Sequence, residues 1–349
     1  MAENTVEDVS DFRLLSAGSA LPGPPLDNAA LARRLRLDGV WSQWIDEFIG
    51  PGTRHLALDL EDGCATATLV DLGAEAGRRA LDAAGMRARD VDVMVFASAT
   101  PDSLLPTTVN LVAERLGVNG IPTYQLQSGC AGAYQAIDLG RQLLLAPGRR
   151  NALVLGGDIL VKHFDLDIDV GKLSPGELVN MLLFGDGAGA AVLTRDRVPG
   201  TTAVRQVLNK VTGAGRAPGQ QVEWFGLADR HLDLPAARED YKAIQESVPS
   251  MSREIVKELL ERTRWAEHEI DYLLPPQLSG KMAETITEEL QMPGAEEISC
   301  VTETANTGNA VPFIQLERLL PQMVAGDRAL GVTVESSKWI TAGFALERT

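Results

Sequence analysis

A single cysteine stands in the segment "LQSGCAGAYQA", residues 126–136, with Gly129 before it and Gly132 two residues after it. The residues ahead of it read as a strand, and the helical spacing of the apolar residues behind it predicts a helix. Cys130 therefore falls at a helix start, where unpaired backbone N–H groups and the positive end of the helix dipole favour a thiolate. The same N–H groups can hold the oxyanion that forms when a thiolate attacks a thioester carbonyl. The flanking glycines let a substrate approach the backbone closely. Free cysteine also serves as a small buried hydrophobe, so the turn by itself leaves nucleophile and packing residue equally open.

The elements that must position this turn alternate along the chain. The strand "VDVMVFASAT" (91–100) is followed by the helix "TTVNLVAERLG" and the strand "TYQLQSG". After Cys130 come the helix "AGAYQAIDLGRQLLL" and the strands "NALVLGGDIL" and "GAGAAVLTRD". The last third repeats this order. "IDYLLPP" (270–276) corresponds to "VDVMVFA", "MAETITEELQ" to the second element, and "EISCVTETANTG" to "TYQLQSGCAG". The helix "VPFIQLERLLPQM" and the strands "RALGVTVE" and "ITAGFALER" complete it. Two halves, residues 1–196 and 197–349, thus share one βαβαββ order, which predicts an α/β fold with mixed sheets covered by helices. The repeat pairs the turn of Cys130 with that of Asn306, so both are expected at a common seam.

Composition narrows the class. The 349 residues are 45% hydrophobic and 23% charged, as in a soluble globular protein. A formal net charge of -16 argues against nucleic acid as a partner. No apolar run reaches the roughly 20 residues of a membrane helix, and the acidic N-terminus lacks the features of a secretory signal. Three cysteines, Cys64, Cys130 and Cys300, are too few and scattered for a disulfide framework, which fits a cytoplasmic protein. No metal-ligand spacing occurs. "FGDGAGA" lacks dinucleotide-fingerprint spacing and leads into a strand, so it reads as a structural turn and no cofactor is expected.

The segments "GCAGAYQAIDLG", "LVLGGDIL" and "FGDGAGAAVL", in that order and spacing, closely resemble β-ketoacyl-acyl carrier protein synthase III and its thiolase-fold relatives. The likeness extends to "SQWIDEFIGPGTRH" and "ANTGNAVPFIQLERLL". It implies a thiolase-like fold of α-β-α-β-α layers, a homodimer, and acylation of Cys130 by a thioester. The family's catalytic histidine lies in a "PHQ" segment, whereas "LLPPQLSGKM" puts Pro276 there, followed by a matching Gln277. The family's asparagine, in "GNT", corresponds to Asn306, with Ala305 replacing the glycine. In decarboxylative condensation both side chains donate hydrogen bonds to a malonyl thioester oxygen as carbanion character develops, and proline cannot. Losing one such donor typically costs about a hundredfold or more in rate. Of His55, His163, His231 and His268, His163 in "DILVKHFD" is the candidate substitute base.

Other family positions are altered too. Ser336, Ser337, Lys338 and Trp339 occupy a stretch where the family carries a glycine-rich oxyanion loop. Trp44 matches a tryptophan that stacks on the adenine of coenzyme A, and Phe48 stands where an arginine is expected. Lys281 retains a positive charge where carrier proteins dock. The resemblance assigns substrate contacts to Trp44, Phe48, Leu105, Gln277, Lys281, Ser337 and Lys338, and favours a carrier-protein donor over free acyl-CoA. The function it implies is non-elongating acyl transfer. Cys130 takes an acyl group and passes it to a small-molecule hydroxyl, amine or thiol acceptor in natural-product biosynthesis, while Asn306 orients the thioester. Two alternatives stand beside it: a synthase III that performs decarboxylative Claisen condensation with its histidine function moved elsewhere, and a catalytically weak partner subunit of a heterodimer.

Overall fold

Segments such as "VMVFAS" and "GAGAAVLT" carry no polar face, and a strand of that kind is stable only when both faces are covered. A computed structural model of the chain buries every residue of both. It describes residues 12–37, 43, 45, 47, 50–164, 166–173, 175–224, 231 and 237–349.

The main sheet has ten strands. The first half contributes β1 (Phe12–Ala20), β2 (Val93–Ser98), β3 (Thr123–Gln127), β4 (Asn151–Asp158) and β5 (Gly187–Thr194). The second contributes β6 (Thr202–Val211), β7 (Tyr272–Leu274), β8 (Glu296–Glu297), β9 (Arg328–Glu335) and β10 (Ile340–Arg348). Their spatial order is β8-β7-β9-β10-β6-β1-β5-β4-β2-β3. Read outward from the centre, both halves have the same order and sense. β2 lies parallel to β3 and β4, β5 is antiparallel to β4 and β1, and β7, β8, β9, β10 and β6 repeat the scheme. A short antiparallel pairing, Phe12–Leu14 against Thr202–Val204, joins the halves.

Helices fill three layers. α1 (Leu69–Ala83) and α2 (Thr108–Leu116) cover the outer face of the first half, and α4 (Tyr241–Thr263) and α5 (Gly280–Leu290) that of the second. Between the inner faces lie α3 (Gly132–Leu143) and α7 (Val311–Leu319), whose apolar sides share one core with strands of both halves. Within it the Tyr134 and Phe344 rings stack at 5.0 Å. A single turn, α6 (Val301–Thr304), precedes α7. The layered thiolase-like architecture is the expected one, and the duplication extends one strand–helix pair further forward in each half, as β1–α1 and β6–α4. β7 stops at Leu274 because Pro275 and Pro276 have no N–H to give a ladder. Among the described residues no helix is long and apolar enough to cross a membrane.

The halves are tied together at Asp158, which ends β4 and is 1% exposed. Its Oδ1 accepts from Ser98 Oγ, the Ala99 and Thr100 backbone N–H groups and Thr100 Oγ1 at 2.8–3.1 Å. Its Oδ2 accepts from the backbone N and the Nδ2 of Asn309, each at 2.8 Å. Gly156 lets that segment lie against β4, since a Cβ there would come within 2.6 Å of the Asn309 carbonyl oxygen. Asp158→Ala would leave these buried donors unmet, each worth about 1–3 kcal/mol. The expected loss of stability is about 3 kcal/mol or more, read as a lower urea midpoint with little change in slope. A loss below about 1 kcal/mol would contradict this account of the seam.

Candidate active site

β3 ends at Gln127, and Ser128, Gly129, Cys130 and Ala131 turn the chain into α3. The turn is held locally by Gly132 N–H donating to Gly129 O at 2.8 Å and from across the seam by Asn309 Nδ2 donating to Ser128 O at 2.9 Å. Cys130 is half-buried and lines two cavities. One, with about 340 Å³ of open space, is walled by Pro275, Pro276, Asn306 and Val311. The other, about 640 Å³, is walled by Asp158, His163, Phe164, Phe184 and Glu335. Phe164 and Phe184 stack with ring centroids 6.5 Å apart and give the second cavity an apolar wall.

Asn306 is 2% exposed and faces the first cavity together with Cys130, so the turns paired by the sequence repeat meet at one seam. Gly308 N–H donates to its Oδ1 at 3.0 Å, and its backbone bonds Leu183 O and Gly185 N. The preceding Ala305 has φ 57 and ψ -167, a combination almost confined to glycine. The residue that replaces the family's glycine has therefore kept the glycine conformation and carries strain. Pro276 lines the same wall and offers no side-chain donor.

Gln277 lines the first cavity with Cys130, and its Oε1 accepts from Ser299 Oγ and the Cys300 and Val301 N–H groups at 2.7–3.0 Å, which caps the start of α6. Lys338 is exposed, with Nζ on Arg216 O, and Leu105 is 82% exposed; neither lines a Cys130 cavity. Trp339 packs under the replaced loop, with Nε1 on Ala217 O and the Arg216 guanidinium 3.9 Å above its ring. Trp44 and Phe48 lie outside the described residues, as does the side chain of Lys281 in the first turn of α5.

The electrostatics of Cys130 also differ from a helix-start thiolate. Burial, then the charges of Glu335 and Asp158, push its thiol well above the ordinary cysteine value. Its backbone N–H does not point into an empty oxyanion site but donates to Glu335 Oε2. Glu335 Oε1 accepts from Ser337 N–H at 2.8 Å, so the Ser337 backbone holds this carboxylate in place. Glu335 is the residue that sequence reading passed over. The signal was present: an acid at the end of the strand "RALGVTVE", next to the replaced loop. His163 lines the same cavity, its Nε2 is buried with no hydrogen-bond partner, and burial with neighbouring Lys162 lowers its pKa, leaving it neutral near pH 7.

Sequence and fold comparisons place the chain among thiolase-fold proteins like synthase III. A family model described as 3-Oxoacyl-[acyl-carrier-protein (ACP)] synthase III matches residues 124–210, which include the Cys130 turn. The Beta-ketoacyl-[acyl-carrier-protein] synthase III of Neisseria meningitidis serogroup A is 28% identical over 305 residues, 85% of this chain and 87% of that protein. Among solved structures, AbyA1, a tetronic acid condensing enzyme, is 55% identical with a TM-score of 0.94, covering 96% of this chain and 99% of that one. The 3-oxoacyl-(acyl carrier protein) synthase III of Pseudomonas aeruginosa PAO1 is 25% identical with a TM-score of 0.80, covering 97% and 98%.

The strain at Ala305 gives a direct check. Ala305→Gly is expected to stabilise the protein by about 1 kcal/mol, because relief of a glycine-only conformation exceeds the added freedom of the unfolded chain. Thermal or urea unfolding measures it, and a loss of stability would contradict the assignment.

Proposed function

Because the chain belongs to the 3-oxoacyl-acyl carrier protein synthase III-like family of thiolase-fold enzymes, we propose that Cys130 takes an acyl group from a carrier-protein thioester. It then passes the group to the hydroxyl of a small acceptor without loss of carbon dioxide. The observation that carries this reading is Pro276 on the cavity wall beside Cys130 and Asn306. A site with no imidazole there, whose Gln277 and Gln315 amide groups donate to the Pro275 and Ile298 carbonyls, is poorly equipped to stabilise the carbanion that decarboxylation generates. It remains suited to acyl transfer, in which Asn306 Nδ2 orients the thioester carbonyl and the Phe164–Phe184 wall receives the chain.

The tetronic acid condensing enzyme supplies the acceptor class. A tetronic acid is a five-membered lactone with an enolised ketone. Made from two thioesters, it needs one C–O bond and one C–C bond, between a β-ketoacyl unit and a 2-hydroxyacyl unit. Acyl transfer from Cys130 to the 2-hydroxyl makes the ester. The carbon between the ketone and ester carbonyls then loses a proton and attacks the remaining thioester, which closes the ring and releases the second thiol. Neither bond calls for decarboxylation, which accounts for a site that does without the histidine. In this reading the donor is carried by an acyl carrier protein, the working unit is a homodimer, and the product belongs to secondary metabolism.

The test is intact-protein mass after mixing with a β-ketoacyl carrier-protein thioester, followed by a 2-hydroxyacyl thioester. Wild type is expected to gain the acyl mass and lose it to an ester or lactone product, and Cys130→Ala to gain none. Carbon dioxide release and a β-ketoacyl product from a malonyl donor would overturn the reading.

A further inference from the structure

Glu335 is built into the nucleophile's turn rather than placed beside it. It closes β9, is 1% exposed, lines the larger cavity with Cys130, and accepts the Cys130 N–H with one oxygen and the Ser337 N–H with the other. Gly129 makes the approach possible, because a Cβ there would collide with the carboxylate. Asp158 is saturated by donors from both halves, and Glu239, on the strand Ala237–Glu239 that forms a two-stranded antiparallel ribbon with Gln220–Val222, is the weakest of the three charges that raise the Cys130 thiol.

We propose that Glu335 is a catalytic acid–base residue of this site, taking and returning the protons of the two transfer steps. The proposal rests on the acyl-transfer reading. As the Cys130 sulfur attacks the donor thioester, Glu335 takes the thiol proton, and the departing carrier thiolate receives it when the old C–S bond breaks. In the second half the acceptor hydroxyl gives its proton to Glu335 as its oxygen attacks acyl-Cys130. When that C–S bond breaks, the proton returns to the Cys130 thiolate. Each protonation also neutralises the carboxylate and weakens its charge-assisted bond to the Cys130 N–H. That N–H is then released to the oxyanion at the moment the oxyanion forms.

The groups facing Cys130 and Glu335 are Asp158 from β4, His163 from the turn after it, Glu239 from the ribbon and Ser337 from the loop after β9. The test compares wild type, Glu335→Gln and Glu335→Asp in two reactions of Cys130. One is alkylation by iodoacetamide between pH 6 and 10, followed by peptide mapping. The other is acylation by a hexanoyl N-acetylcysteamine thioester, followed by intact mass. Alkylation needs only thiolate, so removing the neighbouring negative charge in Glu335→Gln is expected to shift its pH profile downward and speed it several-fold at pH 8. Acylation is expected to slow by about a hundredfold in the same variant and to recover partly in Glu335→Asp.

A carboxylate that only plugs the oxyanion site would give faster alkylation and faster acylation in Glu335→Gln, which overturns the proposal. If the amide variant does not fold, Glu335→Asp is expected to slow acylation at least tenfold with alkylation unchanged, and a wild-type acylation rate there overturns it. No adduct on wild-type Cys130 overturns the transfer reading itself, a result distinct from a full-rate adduct in Glu335→Gln.

Discussion

The buried carboxylate of Asp158 is the constraint on which the site depends. It lies where β4 ends, and its two oxygens divide their bonds between the loop after β2 and Asn309 of the other half. Burial raises its pKa and the hydrogen bonds from Asn309, Ala99 and Thr100 oppose that rise. Through Asn309 Nδ2 the same bonds reach Ser128 O, two residues before the cysteine. The turn of Cys130 belongs to the first half and is held by the second.

This explains why the site sits at the seam and what the surrounding glycines do there. Gly156 admits the Asn309 backbone, Gly129 admits Glu335, and Gly132 lets the start of α3 lie against Asn309. The result is a cysteine that is not primed as a thiolate at rest. Two carboxylates and burial keep it protonated, and its N–H is occupied. A resting thiol of this kind resists adventitious oxidation and alkylation. Strain at Ala305 places Asn306 on the opposite wall, so a backbone conformation that suits glycine is retained to keep an amide at the cavity.

What could be read from the chain was local or periodic. The strand–turn–helix around Cys130, the duplicated order and the absence of a histidine at Pro276 each occupy a few adjacent residues or recur at a fixed offset. The contacts that give the site its character join residues far apart: Cys130 with Glu335, and Asp158 with Asn309. Single-sequence patterns carry no such pairing. "VTVE" therefore registers as a buried strand and its acid passes as a strand end. Gln277 shows the same limit: it lines the cavity beside Cys130, but that its oxygen accepts from the N–H groups of α6 follows only from a fold that brings them within reach. The opening pairs β1–α1 and β6–α4 escaped the repeat because their likeness lies in shape and partners more than in residue pattern.

The central claim is that Cys130 carries the acyl group between donor and acceptor. A rapid-quench single turnover with a β-ketoacyl carrier-protein thioester and a 2-hydroxyacyl thioester tests it most directly, with the Cys130 peptide followed by mass. Acyl-Cys130 is expected to form before any product and to decay at the rate at which ester or lactone appears. Product that accumulates without acyl-Cys130, or an acyl-enzyme that persists unchanged after the acceptor is added, would contradict the account.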